Sequence, residues 1–354
     1  MPLDRVRVRS VRCITAADID LHPQRNYLFG PNGAGKTSLL EAIHVLGRGR
    51  SFRMRQTVRL VQRGSSGLAV SGTVTAAPAR HRLRVRFQAG RLDVEIDGVG
   101  GRSLVELARI LPVHVIDPQL HELIEGGPSA RRRYLDTAVF HVEQGYLETW
   151  RAYRRALGQR NSALKRQAAP RELEAWNTGL GVAGEAVHAA RTRHLEALRP
   201  VLTALGIDFL GRELGIDYRP GWPPDMPLGG ALAAGVEGDR AAGFTQAGPH
   251  RADLVIRLDG SPARDGASRG QQKLMAAALV LAQVRVVGAA CPGTMLLVDD
   301  PAAELDAPSL ERLVTALEEV PAQLVLTGLS PDALPPSPGF PVFHVEQGHV
   351  EPVL

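Results

Sequence analysis

Three groups of residues in this chain have the types and spacing to handle a phosphate ester. The first is Gly30-Pro31-Asn32-Gly33-Ala34-Gly35-Lys36-Thr37, a G-x-x-x-x-G-K-T loop. Glycines in such a loop let the backbone curl until several N–H groups point at one anion. A helix opening at Ser38 adds the positive end of its dipole. Lys36 can reach the β- and γ-phosphates and the Thr37 hydroxyl can ligate Mg²⁺. The loop predicts binding of a nucleoside triphosphate with Mg²⁺. The second group is Met295-Leu296-Leu297-Val298-Asp299-Asp300, an apolar strand ending in two carboxylates, the Walker B arrangement. Asp299 would hold Mg²⁺, directly or through water, and Asp300 would orient or deprotonate the attacking water. Taken alone, the same pattern also fits a plain strand followed by an acidic loop. The third group is Ser268-Arg269-Gly270-Gln271-Gln272-Lys273, just ahead of an apolar run from Leu274. A hydroxyl, a glycine and a helix N-terminus together offer a second phosphate site.

The elements that must hold these groups are legible from periodicity. Tyr27, Leu28 and Phe29 form a short apolar strand before the loop, and Ser38 to Ile43 read as the helix behind it. Pro301 cannot continue a central strand, which leaves Asp299 and Asp300 at a strand end, where open α/β sheets bind ligands. Val6, Val8 and Val11, then Leu68 to Val70, Leu83 to Phe87 and Leu92 to Ile96, alternate as strands do, with a turn at Asp97-Gly98. Leu111 to Ile116 reads as one more strand. From about residue 129 the period becomes helical: Leu147, Trp150, Tyr153, Leu157 and Leu164 share a face. Ala168-Ala169-Pro170 breaks that helix. Leu173, Trp176, Leu180, Ala183, Val187 and Ala190 then form a short heptad seam. A loop-rich return around Gly221 to Gly230 ends it. Strands are expected at Leu254–Leu258, Met295–Val298 and Gln323–Leu326, with helices from Leu274 and over Ser309–Glu319. The heptapeptide Val-Phe-His-Val-Glu-Gln-Gly occurs at Val139–Gly145 and Val342–Gly348 but has no continuing period, so it is no structural repeat.

Composition narrows the setting. At 354 residues, 44% hydrophobic and 22% charged, the chain is an ordinary globular one with room for two lobes. The charged start (Asp4, Arg5, Arg7, Arg9, Arg12) has no apolar block behind it, unlike a secretory leader. The most apolar stretch, Leu274 to Cys291, is interrupted by Gln283 and Arg285, which favours a buried helix over a membrane span. Cys13 and Cys291 lack metal or redox spacing, and a reducing cytoplasm is expected. The net charge is +5, with arginine clusters at Arg48, Arg50, Arg53, Arg55, Arg59 and Arg63 and at Arg131, Arg132 and Arg133. Such clusters suit a nucleic acid or anionic lipid, and equally a solvated face or internal ion pairs.

The order of the motifs resembles the ABC-type ATPases: phosphate loop, S-x-G-Q-Q, apolar strand with an acidic pair, then Glu304-Leu305-Asp306. The long separation of Thr37 from Ser268 resembles the repair and chromosome-maintenance branch. More narrowly, the chain resembles the RecF family. The resemblance is carried by Asn26 to Arg53, Gly126 to Asp136, Gln159 to Leu164, Gly248-Pro249-His250-Arg251, Ala267 to Lys273 and Leu296 to Asp306. It implies an α/β fold: an ABC-type ATPase head with a mixed sheet over residues 1–125 and 245–354, and an inserted, mainly helical lobe or short arm over 126–244. It also implies ATP and Mg²⁺ as cofactors. Lys36 and Asp300 would act in hydrolysis, Thr37 and Asp299 would hold the metal, and Gln119 would stand loosely for a Q-loop residue. Ser268, Gly270 and Gln271 would serve a nucleotide held by a second copy, so ATP would join a symmetric dimer. The family's partners are single-stranded or gapped DNA and the proteins RecO and RecR, in loading RecA and supporting the SOS response. Turnover is expected to be a weak, DNA-stimulated ATPase activity. Arg48, Arg50, Arg53, Arg55 and Arg131 to Arg133 become candidates for the DNA face. An ABC transporter subunit, or a P-loop kinase of small molecules, would share some of these motifs, but the separation of loop and signature argues against the first and Ser268–Gln272 has no task in the second. Two departures stand out. Thr327 and Gly328 follow the last core strand where many ABC-type proteins have a histidine, and Asp300 stands where transporters have Glu. Both fit slow hydrolysis. The role of His250 stays open between function and structure.

Overall fold

The structure is a computed structural model that describes residues 2–54, 56–76, 79–333 and 340–353. Two compact units emerge, Met1–Leu120 with Ala277–Leu354, and His121–Ala276.

In the first unit the alternating segments pair as one antiparallel six-stranded sheet. Its strand order is Ile14–Asp20, Leu3–Val11, Gly67–Ala76, Ala79–Gln88, Arg91–Ile96, Val99–Gly100. One face buries Val6, Val8, Val70, Val74, Leu83 and Val85, and the other faces water, as alternation in an antiparallel sheet requires. A second six-stranded sheet runs His349–Val353, Val342–Glu346, Arg25–Phe29, Gln323–Gly328, Met295–Val298, Val113–Ile116. Only its terminal hairpin pairs antiparallel. Met295–Val298 is buried along its whole length, the mark of a central parallel strand. The helix Lys36–Arg48 contacts strands of both sheets. Leu39 to Gly47 are all buried, as expected of a helix with protein on every side. Gln323 joins the layers: its Oε1 accepts from Leu3 N at 2.8 Å and its Nε2 donates to Leu3 O at 3.0 Å.

The second unit holds the helices Pro128–Val142, Tyr146–Lys165 and Pro170–Leu210, the last of 41 residues, and a small sheet of Leu214–Arg219, Asp253–Leu258 and Ser261–Pro262. The pairing of Asp253–Leu258 with Leu214–Arg219 draws residues 245–276 into this unit. The division therefore falls at 121 and 277, where the sequence expectation set it at 126 and 245. The helix expected from Leu274 begins at Arg269 and runs to Ala290. By length and composition it could cross a membrane, but 72% of its most apolar window is buried inside the protein.

Three of the RecF-like segments hold this second unit together. Arg160, fully buried, donates to Asn177 Oδ1 at 2.7 Å, Asp239 Oδ2 at 2.6 Å and Thr245 Oγ1 at 2.8 Å. Arg191 pairs with Asp136 at 2.8 Å and donates to Pro249 O at 2.8 Å. His250 Nε2 donates to Thr245 O at 3.0 Å, so its Nδ1 accepts the Tyr153 hydroxyl at 2.5 Å. The histidine left open by sequence is thus a satisfied structural one. Burial pushes it down to about 4. His194 is also pushed down to about 4 by burial, and among the described residues neither of its ring nitrogens has a hydrogen-bond partner. In the unfolded chain both take a proton near about 6.5. Acidification from that value toward 4 therefore protonates the unfolded state first, and stability falls across that window. The urea midpoint should drop between pH 7 and pH 4.5, and His194→Leu should flatten the drop. A midpoint with no dependence on pH there would contradict the buried neutral state of both histidines.

Candidate nucleotide site

The phosphate loop leaves the strand Arg25–Phe29 and enters the helix Lys36–Arg48, as its sequence setting predicts. Gly35 sits just before that helix with φ 120°, a conformation closed to most side chains. Gly30 is fixed by crowding: a Cβ there would lie 2.1 Å from the Val345 carbonyl oxygen. The neighbour is the C-terminal hairpin, which is therefore part of the loop's support. Its turn residue Gly348 donates its N–H to Ala34 O at 2.7 Å. The second copy of the heptapeptide, Val342–Gly348, is the segment that makes both contacts. Gly30→Ala should displace the loop and lower ATP affinity at least tenfold while the thermal midpoint moves by only a few degrees. Wild-type ATP binding in a calorimetric titration would show that the hairpin does not constrain the loop.

Lys36 reaches back to the carbonyls of Gly30 at 2.6 Å and Pro31 at 3.1 Å. Its amine is pushed down by burial, against the pull of Asp300 and Asp299. The Thr37 hydroxyl lies 2.9 and 3.0 Å from the two oxygens of Asp299. A hydroxyl and a carboxylate so placed at a phosphate loop are the protein ligands that Mg²⁺ takes beside a triphosphate. Burial raises Asp299, while hydrogen bonds from Thr37 and Thr327 and the charge of Arg53 oppose the rise. Asp300 follows in the left-handed region, φ 47°, and one of its carboxylate oxygens is buried with no hydrogen-bond partner among the described residues. A buried acceptor in this position is suited to the proton of a water or of a phosphate. The residues present therefore fit a magnesium–triphosphate complex.

Thr327 has a part that the sequence reading did not assign. Its Oγ1 accepts from Asp300 N at 2.8 Å and lies 3.2 Å from Asp299 Oδ1. It ties the two acids to the neighbouring strand. The contact comes from non-local pairing: in parallel register Val298 pairs with Leu326, so the next residues, Asp299 and Thr327, meet.

The remaining predicted residues fall in different places. Asn32 and Gly33 are exposed at the loop's tip, and Ser38 is buried behind it, 3.7 Å from Cys13 Sγ. Gln119 is exposed in the turn after Val113–Ile116, and among the described residues no hydrogen bond joins it to Thr37 or Asp299. In the second unit, Ser268 and Gln271 cap the helix Arg269–Ala290. Ser268 Oγ accepts from Gln271 N at 3.3 Å, and Gln271 Oε1 accepts from Ser268 N at 3.0 Å. Ser268 and Gly270 are exposed, with open space where a Cβ on Gly270 would lie.

The arginine candidates need correction. Arg131 is buried, pairs with Asp253 at 2.8 Å and donates to Gly126 O at 2.6 Å, so it is structural and closed to DNA. Arg132 donates to Ala252 O at 2.7 Å, and Arg48 to Val113 O at 3.2 Å; both are half-buried and tied to backbone. Arg50, Arg53 and Arg133 are exposed. Arg55 lies outside the described residues.

Comparison with known proteins shows the family to which the chain belongs. Residues 2–338 match the family described as the RecF/RecN/SMC N terminal domain. The chain is 41% identical over 357 residues to the DNA replication and repair protein RecF of Thioalkalivibrio sulfidiphilus, covering 98% of each chain. It is 40% identical over 358 residues to that of Azotobacter vinelandii, covering 99% and 98%. Among solved structures, one described as the recombination mediator protein RecF-ATPrS in the RecFOR pathway superposes with a TM-score of 0.85 at 25% identity, covering 99% of this chain and 98% of the other. A SmcHead bound to the C-winged helix domain of ScpA shares the fold, with a TM-score of 0.64 at 15% identity over 100% and 97% of the two chains. The fold and site define an ABC-type ATPase head of the kind shared by SMC proteins. Within that class the chain belongs to the RecF family of DNA replication and repair proteins. Membership sets aside the transporter-subunit and small-molecule-kinase alternatives.

Proposed function

We propose that this chain binds Mg²⁺–ATP at the phosphate loop, pairs with a second copy around that nucleotide, and as a dimer grips single-stranded or gapped DNA. The observation that carries the reading is the convergence of Thr37, Asp299 and Thr327 at the ends of two adjacent strands, with the Lys36 amine within the pull of Asp299 and Asp300 and an oxygen of Asp300 that has no hydrogen-bond partner among the described residues. Lys36 leaves its two carbonyl partners and donates to the terminal phosphates. Thr37 and Asp299 hold Mg²⁺, which supplies charge neutralisation between the phosphates when bound. Asp300 accepts the proton of the attacking water, and Thr327 keeps both acids in place.

Ser268 and Gly270, exposed at a helix N-terminus, act on the nucleotide of the partner copy. Two equivalent sites follow from the twofold symmetry of such a pair. Hydrolysis is slow, because the closed dimer is the working state and turnover only releases it. The relatives' place in the RecFOR pathway supports RecO and RecR as partners, a cytoplasmic location, and a role in loading RecA at gaps during the SOS response. Ser268→Arg separates binding from pairing: the variant should bind ATP as a monomer and fail to dimerise in sedimentation. Loss of ATP binding itself would show that Ser268 serves its own chain's nucleotide.

A further inference from the structure

The solvent face of the antiparallel sheet carries an unusual cross-strand pattern. Its central strand, Gly67–Ala76, presents Ala69, Ser71 and Thr73, all small. Each lies between two arginines in register. Thr73 is flanked by Arg5 and Arg82, Ser71 by Arg7 and Arg84, and Ala69 by Arg9 and Arg86. Two arginine rows therefore run along a shallow trough, about 10 Å apart across two strand spacings, with arginines repeating at about 6.7 Å along each row. The depression between them has a volume of about 370 Å³.

Charge is arranged across this face with a definite polarity. Acidic residues stand outside both rows: Asp18 and Asp20 pair in register with Arg7 and Arg5, and Asp93 and Glu95 with Arg86 and Arg84. Some of the arginines are held there. Arg5 and Arg7 bond Asp18 at 2.6 and 2.9 Å, and Arg86 bonds Asp93 at 2.8 Å. Arg9, Arg82 and Arg84 are exposed and, among the described residues, have no carboxylate at ion-pair distance from their guanidinium groups. The positive charge is thus concentrated in the trough and the negative charge at its rims.

We propose that this trough takes the sugar–phosphate backbone of a single nucleic-acid strand, an inference that rests on the DNA-binding reading above. Successive phosphates of an extended strand can follow the arginine repeat, with guanidinium forks donating in pairs to phosphate oxygens. Ser71 and Thr73 add hydroxyl donors from the floor. The acidic rims repel any polyanion wider than one strand, which disfavours a duplex. Among the described residues no aromatic ring lines the trough, so bases are not stacked and the contact carries no sequence preference.

The test uses the full-length chain and a fluorescent thirty-nucleotide oligothymidylate, with anisotropy read at several salt concentrations. The triple variant Arg9→Ala, Arg82→Ala, Arg84→Ala should bind at least about tenfold more weakly and lose about 2 units of salt slope, because each single-strand phosphate contact contributes about 0.7. ATP affinity should be unchanged. Ser71→Asp, which keeps every arginine and places a carboxylate on the floor, should weaken binding in the same direction. Wild-type affinity and slope in both variants would overturn the trough while leaving DNA binding intact. Polyglutamate that displaces the probe better than unlabelled oligonucleotide would also overturn it, in favour of an acidic protein. Failure of the unaltered chain to bind the probe at all would remove the DNA-binding reading together with the trough.

Discussion

Lys36→Met should abolish both ATP binding and the ATP-driven dimer. The lysine amine now donates to the carbonyls of Gly30 and Pro31, within the loop that is to hold the phosphates. Its redirection to phosphate oxygens would form charge-assisted hydrogen bonds, each about 1.5–3 kcal/mol. Losing two of these corresponds to at least a hundredfold in affinity. Methionine keeps the length and apolar stem of the side chain, so the buried helix Lys36–Arg48 stays packed and the variant should fold. Titration with a fluorescent ATP analogue reads the binding, and sedimentation with ATP reads the pairing. A variant that still dimerises with ATP would mean that the phosphates are held by other groups.

Asp300→Asn should have the opposite effect on assembly. The residue has φ 47° and its N–H is bonded to Thr327. Asparagine tolerates the left-handed region and keeps that N–H, so the strand end retains its geometry. What is lost is a proton acceptor beside the attacking water, worth roughly 10²- to 10⁴-fold in rate. The variant should bind ATP like the unaltered protein, turn over at least about 100-fold more slowly, and accumulate as a dimer. Turnover at the wild-type rate would move the acceptor role away from Asp300.

Much of the head could be read from the sequence because local chemistry and local geometry coincide there. The loop Gly30–Thr37 is contiguous, and its glycines, lysine and threonine fix both conformation and ligand class. Met295–Asp300 was legible for the same reason: a wholly apolar strand stopped by Pro301 leaves its acids at the end. What the sequence hid was non-local. Thr327 lies beside Asp299 only through parallel pairing of two strands. The contact of Val345 with Gly30 depends on where the C-terminal hairpin joins the sheet. Charge in a sequence says nothing of burial, so Arg131 and the exposed Arg133 read alike there. Arg131 sits in a basic run yet is consumed by Asp253 and the Gly126 carbonyl, whereas Arg9 and Arg84, exposed and without an ion pair among the described residues, belong to two strands that meet across a third. The boundary at residue 277 was missed for a similar reason, since Asp253–Leu258 reads as a strand without saying which sheet receives it.

The claim on which the proposed mechanism turns is that each nucleotide is served by residues of two copies. Mixing the Lys36→Met and Ser268→Arg proteins tests it directly. Each alone lacks one component in both of its sites. The mixed pair contains one site with Lys36 from one copy and Ser268 from the other. ATP turnover, and the dimer seen in sedimentation, should reappear on mixing, at up to one working site in two. A mixture as inactive as either variant alone would contradict the shared site.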